Sequence, residues 1–446
     1  MKQNLNYFKT VMTLLVLSTL PFRPPAASAQ GVTFTNETFA VGGQPAFAAV
    51  ADINGDGQPD LITANSGEGA GNTLTVLTNA GSGFFGFNST LSVGPNPQCV
   101  VAADINGDGF PDLISGNDNA GNLTVLTNSG SGVFGFNATL PVGQNPQCVI
   151  AADVNGDGKL DLISANNYDN TLTVLTNNGS GGFVLSATLP AGDVPFSVAA
   201  ADINGDGYVD LVCANGLDNT LTIYTNNGTG TFGLNATIAV GNSPLCVIAA
   251  DVNGDSYKDL ICANADDNTL TVLTNNGAGV FGLNATLSVG NRPISVAAAD
   301  VNGDGKLDLI SANNTDGTLT VLTNNGSGVF GFNATLNTGN GPYCVLAADV
   351  NADGKPDLIC VNNLDGTVTV SLNTTPFNTV APPLPRLGIG SYLNQSVLFW
   401  PASPGNYVLQ TTTNLSLPNW VTVSNGTSFT AIGLTNTSPA QYFRLH

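Results

Sequence analysis

The amino-acid sequence predicts an all-β chain. It reads as a seven-bladed β-propeller with four-stranded blades, closed by the N-terminal strand and followed by a small β-sandwich-like C-terminal domain. Three observations predict this. An acidic nine-residue loop begins at Asp52, Asp104, Asp153, Asp202, Asp251, Asp300 and Asp349, spaced by 52 residues once and then by 49. Each interval carries the pattern of four short strands, and four strands in roughly 50 residues make one propeller blade. The last interval lacks its fourth strand, while a matching strand stands alone near the N-terminus.

Residues 1–29 read as a secretory signal peptide, and so are set aside before any fold argument. Lys2 and Lys9 precede an apolar run from Val11 to Leu20, and Ala27-Ser28-Ala29 offers a small-residue cleavage site before Gln30. A membrane anchor would need ~20 consecutive apolar residues, more than this run supplies. No later segment reads as membrane-spanning. The expected location is therefore extracellular, either free or at the cell surface.

Removing that segment removes Lys2, Lys9 and Arg23, leaving seven basic residues against 31 acidic ones, a net charge of −24. Nucleic acid and anionic membranes are poor partners for such a chain. Glu occurs only at Glu37 and Glu68, so the acidity is almost all aspartate. Thr, Val, Asn and Gly dominate, which favours strands joined by tight turns.

The propeller is expected over residues 30–375. Seven residues before each loop stands a proline (Pro45, Pro97, Pro146, Pro195, Pro244, Pro293 and Pro342), so the register holds outside the acidic stretch. In the third repeat Asp161 to Ala165 is the strand after the loop. A small-residue strand precedes the loop in each unit, as at Ser197 to Ala201 in the fourth. Asp169-Asn170 is a hairpin turn, because both residue types tolerate positive φ. Thr171 to Thr176 alternates as a half-buried strand does. Asn178-Gly179 turns again, and Phe183 to Leu189 is the fourth strand. At the N-terminus, Phe34 to Gly42 matches Phe136 to Gly143, and is expected to complete the seventh blade. A solenoid would gain nothing from such a displaced strand.

The loop itself reads as a metal site. Position 1 is the set of aspartates named above. Position 3 is Asn54, Asn106, Asn155, Asn204, Asn253, Asn302 and Asn351. Position 5 is Asp56, Asp108, Asp157, Asp206, Asp255, Asp304 and Asp353, and position 9 is Asp60, Asp112, Asp161, Asp210, Asp259, Asp308 and Asp357. The backbone carbonyl of position 7 is expected to face inward, at Gln58, Phe110, Lys159, Tyr208, Tyr257, Lys306 and Lys355. Hard oxygen donors at these intervals match the first nine positions of an EF-hand loop and suit calcium. The Glu at position 12 is missing, Ser164 standing there in the third repeat, so Asp161 is expected to supply the bidentate contact. A solvated Asx turn is the alternative for one loop. Seven in phase argue against it, because three carboxylates in one turn repel unless a cation neutralises them. Up to seven structural Ca2+ ions are expected, which would bring the charge to −10. Ser256 replaces the position-6 glycine, where positive φ costs about 1 kcal/mol for a residue with a Cβ, so the fifth site is expected to be weakest. Ala352 at position 4 is expected to be a milder change.

These loops resemble the FG-GAP or VCBS repeat family, the calcium-binding propeller repeats also found in integrin α subunits. The resemblance spans residues 32 to about 375. It implies a structural role for calcium, held in the hairpin between the first two strands of each blade, on one face of the disc. Phe134-Gly135, Phe281-Gly282 and Phe330-Gly331 match half of the family name. Ser164 to Asn166 stands where the Gly-Ala-Pro half would be, so integrin-like ligand recognition is not implied.

Function is then sought on the other face. Its loops vary between blades, and the first repeat carries three extra residues within Ser66 to Asn72, as binding faces of repeat proteins often do. Tyr168, Phe196, Arg292 and Tyr343 are the candidate ligand contacts. Catalysis has little support, since the single histidine is His446 and no Ser-His-Asp or Cys-His set can be built. Most of the aspartates outside the loops, such as Asp218, Asp316 and Asp365, fall in hairpin turns. The Asn-x-Thr sequons at Asn137, Asn235, Asn284 and Asn333 read as one strand position repeated. The seven cysteines, Cys99, Cys148, Cys213, Cys246, Cys262, Cys344 and Cys360, fall at two repeat positions shared with serines, and are expected to be free buried thiols. Only Cys246 with Cys262 and Cys344 with Cys360 are conceivable bridges.

Residues 376–386 form a proline-rich linker, and 387–446 a small all-β module, with short alternating runs at Ser396 to Trp400, Tyr407 to Thr412, Trp420 to Val423 and Tyr442 to Leu445. Trp400 and Trp420 are expected in its core. The leading functional expectation is a non-enzymatic extracellular binding or adhesion module for a glycan or protein ligand. A polysaccharide-active enzyme using propeller-face aspartates and a structural cell-surface component are the alternatives.

Overall fold

The computed structural model describes residues 31–67 and 71–377, together with the backbone of six strands between 388 and 445. The expected signal peptide (residues 1–29), Glu68, most of the expected linker and both tryptophans lie outside the described residues. The chain divides into two compact units between Pro376 and Phe377.

The first unit is a ring of seven blades. Strand β1 (Phe34–Ala40) precedes the first complete blade, which is β2 (Pro45–Ala51), β3 (Asp60–Asn65), β4 (Thr73–Asn79) and β5 (Phe85–Ser92), hydrogen-bonded in that order as an antiparallel meander. Five further four-stranded sheets repeat it. The seventh holds three consecutive strands (Pro342–Ala348, Asp357–Asn362 and Thr367–Asn373), and β1 adds to their outer edge, Phe34 facing Asn373 and Ala40 facing Thr367. The ring therefore closes as the displaced strand predicts. Helix among the described residues is confined to one 3-10 turn, Asp118–Ala120.

Burial follows from the stacking of blades. The second strand of every blade is buried at all six positions, since a neighbouring blade covers each of its faces. The core is accordingly divided into seven clusters at the blade junctions. One joins Ile62, Leu74 and Val76 of the first blade to Val100, Leu113 and Leu126 of the second. The closing junction sets Leu61, Leu77 and Phe85 against Ile359, Val368 and Val370. There Phe39 of β1 meets the Phe85 ring edge-on at 5.5 Å, a favoured aromatic geometry.

Two details differ from the sequence reading. The first strands start at the proline, as in Pro195–Ala201, two residues before the expected start. The residue before that proline is left-handed in every blade from Gln44 (φ 48°) to Gly341 (φ 68°). The second detail concerns β1. The outer strands of the six sequential blades carry a bulge at the same place, between the partners of Val125 and Leu126 in the second blade, and β1 has none. Phe34 therefore corresponds to Phe134, not to Phe136, because both pair with the last asparagine of the third strand.

All seven cysteines are free. The two conceivable bridges fail on register, since Cys246 pairs with Ala263 while Cys262 pairs with Val247, and successive residues point to opposite sheet faces. Cys344 and Cys360 are related in the same way. Burial pushes the thiols up, Cys148 to about 11 and Cys344 to about 12.

The second unit contains two three-stranded sheets. One orders Gly388–Tyr392, Gln395–Phe399 and Ala431–Leu434, and the other Val421–Asn425, Val408–Thr412 and Tyr442–Leu445. Gly388–Tyr392 and Ala431–Leu434 were not expected from sequence.

Candidate metal centres and the opposite face

Each acidic loop joins the first strand of a blade to the second, and its shape is set by its own polar side chains. In the third blade Asp153 Oδ1 accepts from Gly156 N at 2.7 Å and its Oδ2 from Gly158 N at 2.8 Å. Asn155 Oδ1 accepts from Asp157 N at 2.9 Å, and Asp157 Oδ1 from Lys159 N at 3.0 Å. Such Asx turns tighten the loop until positions 1, 3 and 5 lie along one short arc. Lys159, Lys306 and Lys355 at position 7 each pair with the position-5 aspartate at 3.4 to 4.0 Å.

Position 9 is different in kind. Asp161 is buried, its Oδ2 accepting from Val154 N at 3.1 Å and its Oδ1 from Asn177 N at 2.8 Å. The carboxylate expected to be a bidentate ligand thus already has an amide on each oxygen, and only the remaining lone pairs face other donors or ions. Burial raises its pKa, against those amides, and the nearby Asp157 and Asp153 add to the rise. The same balance recurs at all seven positions, and carries Asp308 to about 7. Among the described residues no three His, Cys, Asp or Glu side chains are gathered into a metal cluster.

The two irregular loops differ in how much of the loop's own bonding they keep. Ser256 sits at φ 75° and Ala352 at φ 59°, so both positions are left-handed. Ser256 leaves its loop intact, with Gly254 N and Ser256 N on Asp251 at 2.7 and 2.8 Å. In the last loop Gly354 N still reaches Asp349 at 2.8 Å, but the position-4 amide bond made by the other six is missing. The alanine loop thus keeps one internal bond fewer, and in some blades position 4 also lies close to the next blade. The position-4 Gly205 has the Gly277 carbonyl 3.0 Å from where its Cβ would stand.

Sequence reasoning missed the residues that tie the loops together. The last asparagine of each third strand donates from Nδ2 to the position-2 carbonyl of the preceding blade's acidic loop. Asn128 reaches Ile53 O, Asn177 reaches Ile105 O and Asn226 reaches Val154 O, all at 2.7 Å, and Asn79 closes the ring onto Val350 O at 2.7 Å. Their sevenfold recurrence was the available signal. A second, outer set lies at the bulges. Asn284 Nδ2 donates to Gly328 O of the next blade at 2.9 Å, and Asn333 Oδ1 accepts from Val32 N at 3.0 Å. The sequon asparagines Asn284 and Asn333 are thus inter-blade ties.

The opposite face gathers the turns between second and third strands and the connections between blades. Five of its aspartates are employed in those connections. Asp169, Asp218, Asp267, Asp316 and Asp365 each accept, on Oδ2, the amide of an entry-loop residue at 2.6 to 2.8 Å. Of the four candidate contacts, Tyr168 is 75% exposed on its turn. Arg292 is exposed at φ 56° and Phe196 is half-buried. Tyr343 lines a cavity of 730 Å³ with Gln44, Asn72, Asn96, Gln98 and Asn119. Burial raises the Tyr343 phenol, while Arg292 pulls it down and Asp118 pushes it up. Tyr168 and Phe196 do not join this cavity.

Six overlapping stretches, 52–115, 104–164, 153–213, 202–262, 251–311 and 300–360, match the FG-GAP-like repeat. The chain belongs to the FG-GAP-like repeat family. In this FG-GAP-like protein each match runs from one acidic loop past the start of the next, so the family signature coincides with the loop and the junction behind it. A search of curated proteins finds no match. Among solved structures the chain is similar to BBS1N in complex with ARL6DN (12% identity, TM-score 0.57, covering 79% of this chain and 98% of that one). It is also similar to a protein from Lactobacillus plantarum (14%, 0.52, 70% and 98%). A lectin from Agrocybe aegerita that recognises non-reducing terminal N-acetylglucosamine is 20% identical, with a TM-score of 0.47 over 78% and 97%. At these identities the likeness concerns the fold.

Proposed function

We propose that this FG-GAP-like propeller is a secreted, calcium-loaded and non-enzymatic binding module, presenting a glycan or protein ligand on the face opposite its acidic loops. The observation that carries the reading is the division between the two faces. Every acidic loop is bonded to the third-strand asparagine of the next blade, so the loop face is an assembly of fastenings. The opposite face holds the blade-to-blade variation and a polar cavity.

Calcium fits the donor set of the loops. Two carboxylates, one amide oxygen and the position-7 carbonyl are hard oxygen donors, with position 9 behind them. In the third blade Asp153, Asn155, Asp157, the Lys159 carbonyl and Asp161 would hold the ion. Its charge would offset the burial and mutual repulsion that raise Asp161. A bound ion would thus strengthen the same junctions that the asparagines tie. The non-catalytic reading is supported by the turn aspartates, whose carboxylates are spent on entry-loop amides.

The test is binding by the mature protein in millimolar calcium, with a glycan array and a pull-down from cell-surface extracts read in parallel. Saturable binding without turnover of the ligand is the expected result. Release of reducing ends from a bound polysaccharide would refute the non-enzymatic reading, and no ligand on either platform would refute the binding module.

A further inference from the structure

We propose that the cavity where blades 7, 1 and 2 meet on the opposite face binds an uncharged sugar unit. This rests on reading that face as the ligand-presenting one, and adds the place and the ligand class. The sevenfold pattern of the face fails here. In blades 3 to 7 a turn aspartate caps the entry loop, as Asp169 does for Gln144 N at 2.8 Å. In blade 1 the corresponding connection is three residues longer, and in blade 2 it winds into the 3-10 turn Asp118–Ala120. Among the described residues neither places a turn carboxylate on a backbone amide of its entry loop; in blade 2 Asp118 instead takes the side chain of Asn96. The two entry loops, at Gln44 and Asn96, instead border the 730 Å³ cavity, a volume in the range of small-ligand sites.

The lining selects the chemistry. Gln44, Asn72, Asn96, Gln98 and Asn119 line it with Tyr343, and no Lys, Arg, His, Asp or Glu lines it among the described residues. Carboxamides offer both donors and acceptors, which suits hydroxyl groups that are themselves both. A phosphate, sulfate or carboxylate would find no cation in the lining, in a chain of strongly negative charge. Arg292 influences Tyr343 but is not part of the lining. The half-buried Tyr343 ring supplies an amphipathic face for the apolar side of a pyranose.

The lining is also held in place. Asn96 Nδ2 donates to Asp118 Oδ2 at 2.7 Å, and Gln147 Nε2 to Asp118 Oδ1 at 3.2 Å. Gln98 Nε2 donates to Asn96 Oδ1 at 3.0 Å, which leaves Gln98 Oε1 as an acceptor. Asp118 is buried. The other blades hold Ser66, Asn167, Gly216, Ala265, Asn314 and Asn363 at its position, so the buried acid belongs to this site alone. Asn96 stands at φ 58°, a conformation asparagine tolerates better than most residues. Preorganised amides lose less entropy on binding.

The experiment probes the mature chain, in calcium, on an array of neutral, sialylated and sulfated oligosaccharides, with affinities from calorimetry. A neutral glycan is expected to bind. Gln98→Ala and Tyr343→Ala should each weaken it about tenfold with unchanged melting temperature. Tyr343→Phe, which keeps the ring, should stay within about threefold, and Tyr168→Ala on the same face should not matter. Binding confined to acidic glycans overturns the proposal. So does neutral binding that both cavity variants leave intact, although the ligand-presenting face then stands. A protein retrieved by pull-down with no glycan bound overturns the sugar class alone, and silence on both platforms overturns the face as well.

Discussion

Asn226→Ala tests whether the ring is fastened at its acidic loops. The Asn226 amide donates to the buried Val154 carbonyl of the preceding blade at 2.7 Å and to Val209 O at 3.0 Å, and its Oδ1 accepts from Gly228 N at 3.1 Å. Alanine removes all three. The Val154 carbonyl is left without a partner away from solvent, which costs roughly 1–3 kcal/mol, and the two half-buried bonds recover water for a loss of about 0.5 kcal/mol each. The expected total is about 3 kcal/mol. Asn284→Ala is the comparison, because it deletes one half-exposed tie, to Gly328 O, worth about 0.5–1 kcal/mol. Urea unfolding in saturating calcium, with equal slopes, gives both values. An Asn226→Ala cost below about 1 kcal/mol, or one equal to that of Asn284→Ala, would refute the fastening argument.

Three other predictions concern charge, strain and thiols. In chelator, burial holds Asp308 up from 3.8 to about 7. The folded chain then keeps a proton that the unfolded chain has lost, and stability, full below about pH 4, falls as pH rises toward 7. Melting temperatures across that window should decline in chelator, and a rise would contradict the burial argument. Ser256→Gly and Ala352→Gly each relieve a left-handed residue that carries a Cβ, and should stabilise by about 1 kcal/mol. Ala352→Gly should gain at least as much, since it also restores an amide bond to Asp349, and a loss on unfolding in urea would count against this. Cys99, Cys213, Cys262, Cys344 and Cys360 are buried and free, so a thiol reagent should reach them only in denaturant. A melting temperature lowered by reductant would contradict the absence of bridges.

The parts of the fold that repeat were legible in the sequence. Asp52 to Asp349 set the blade count, and the solitary strand after Gly31 supplied the closure, because periodicity reports directly on blades. What was not legible depends on contacts between blades. The Asn226 bond reaches a carbonyl 72 residues away, and nothing in the local Thr-Asn pair names that partner. The bulge at Asn137 put the match of Phe34 out of register, since one unpaired residue in a strand leaves little trace in composition. Ala352 read as mild because the sequence does not show that position 4 is left-handed and donates its amide to position 1. On the opposite face Tyr343 was visible as an aromatic beside a proline. Asn96, Gln98 and Asp118 were not, because their roles come from the two blades whose connections break the pattern.

In the function proposed above, calcium held by the acidic loops fastens the ring. The most direct test is thermal unfolding of the mature protein in millimolar calcium against excess chelator. An ion present at a hundred times its dissociation constant adds about 2.7 kcal/mol per site when it binds only the folded state. With up to seven loops contributing, the melting temperature should fall steeply on chelation and recover when calcium is restored. Superimposable melting curves would contradict the account.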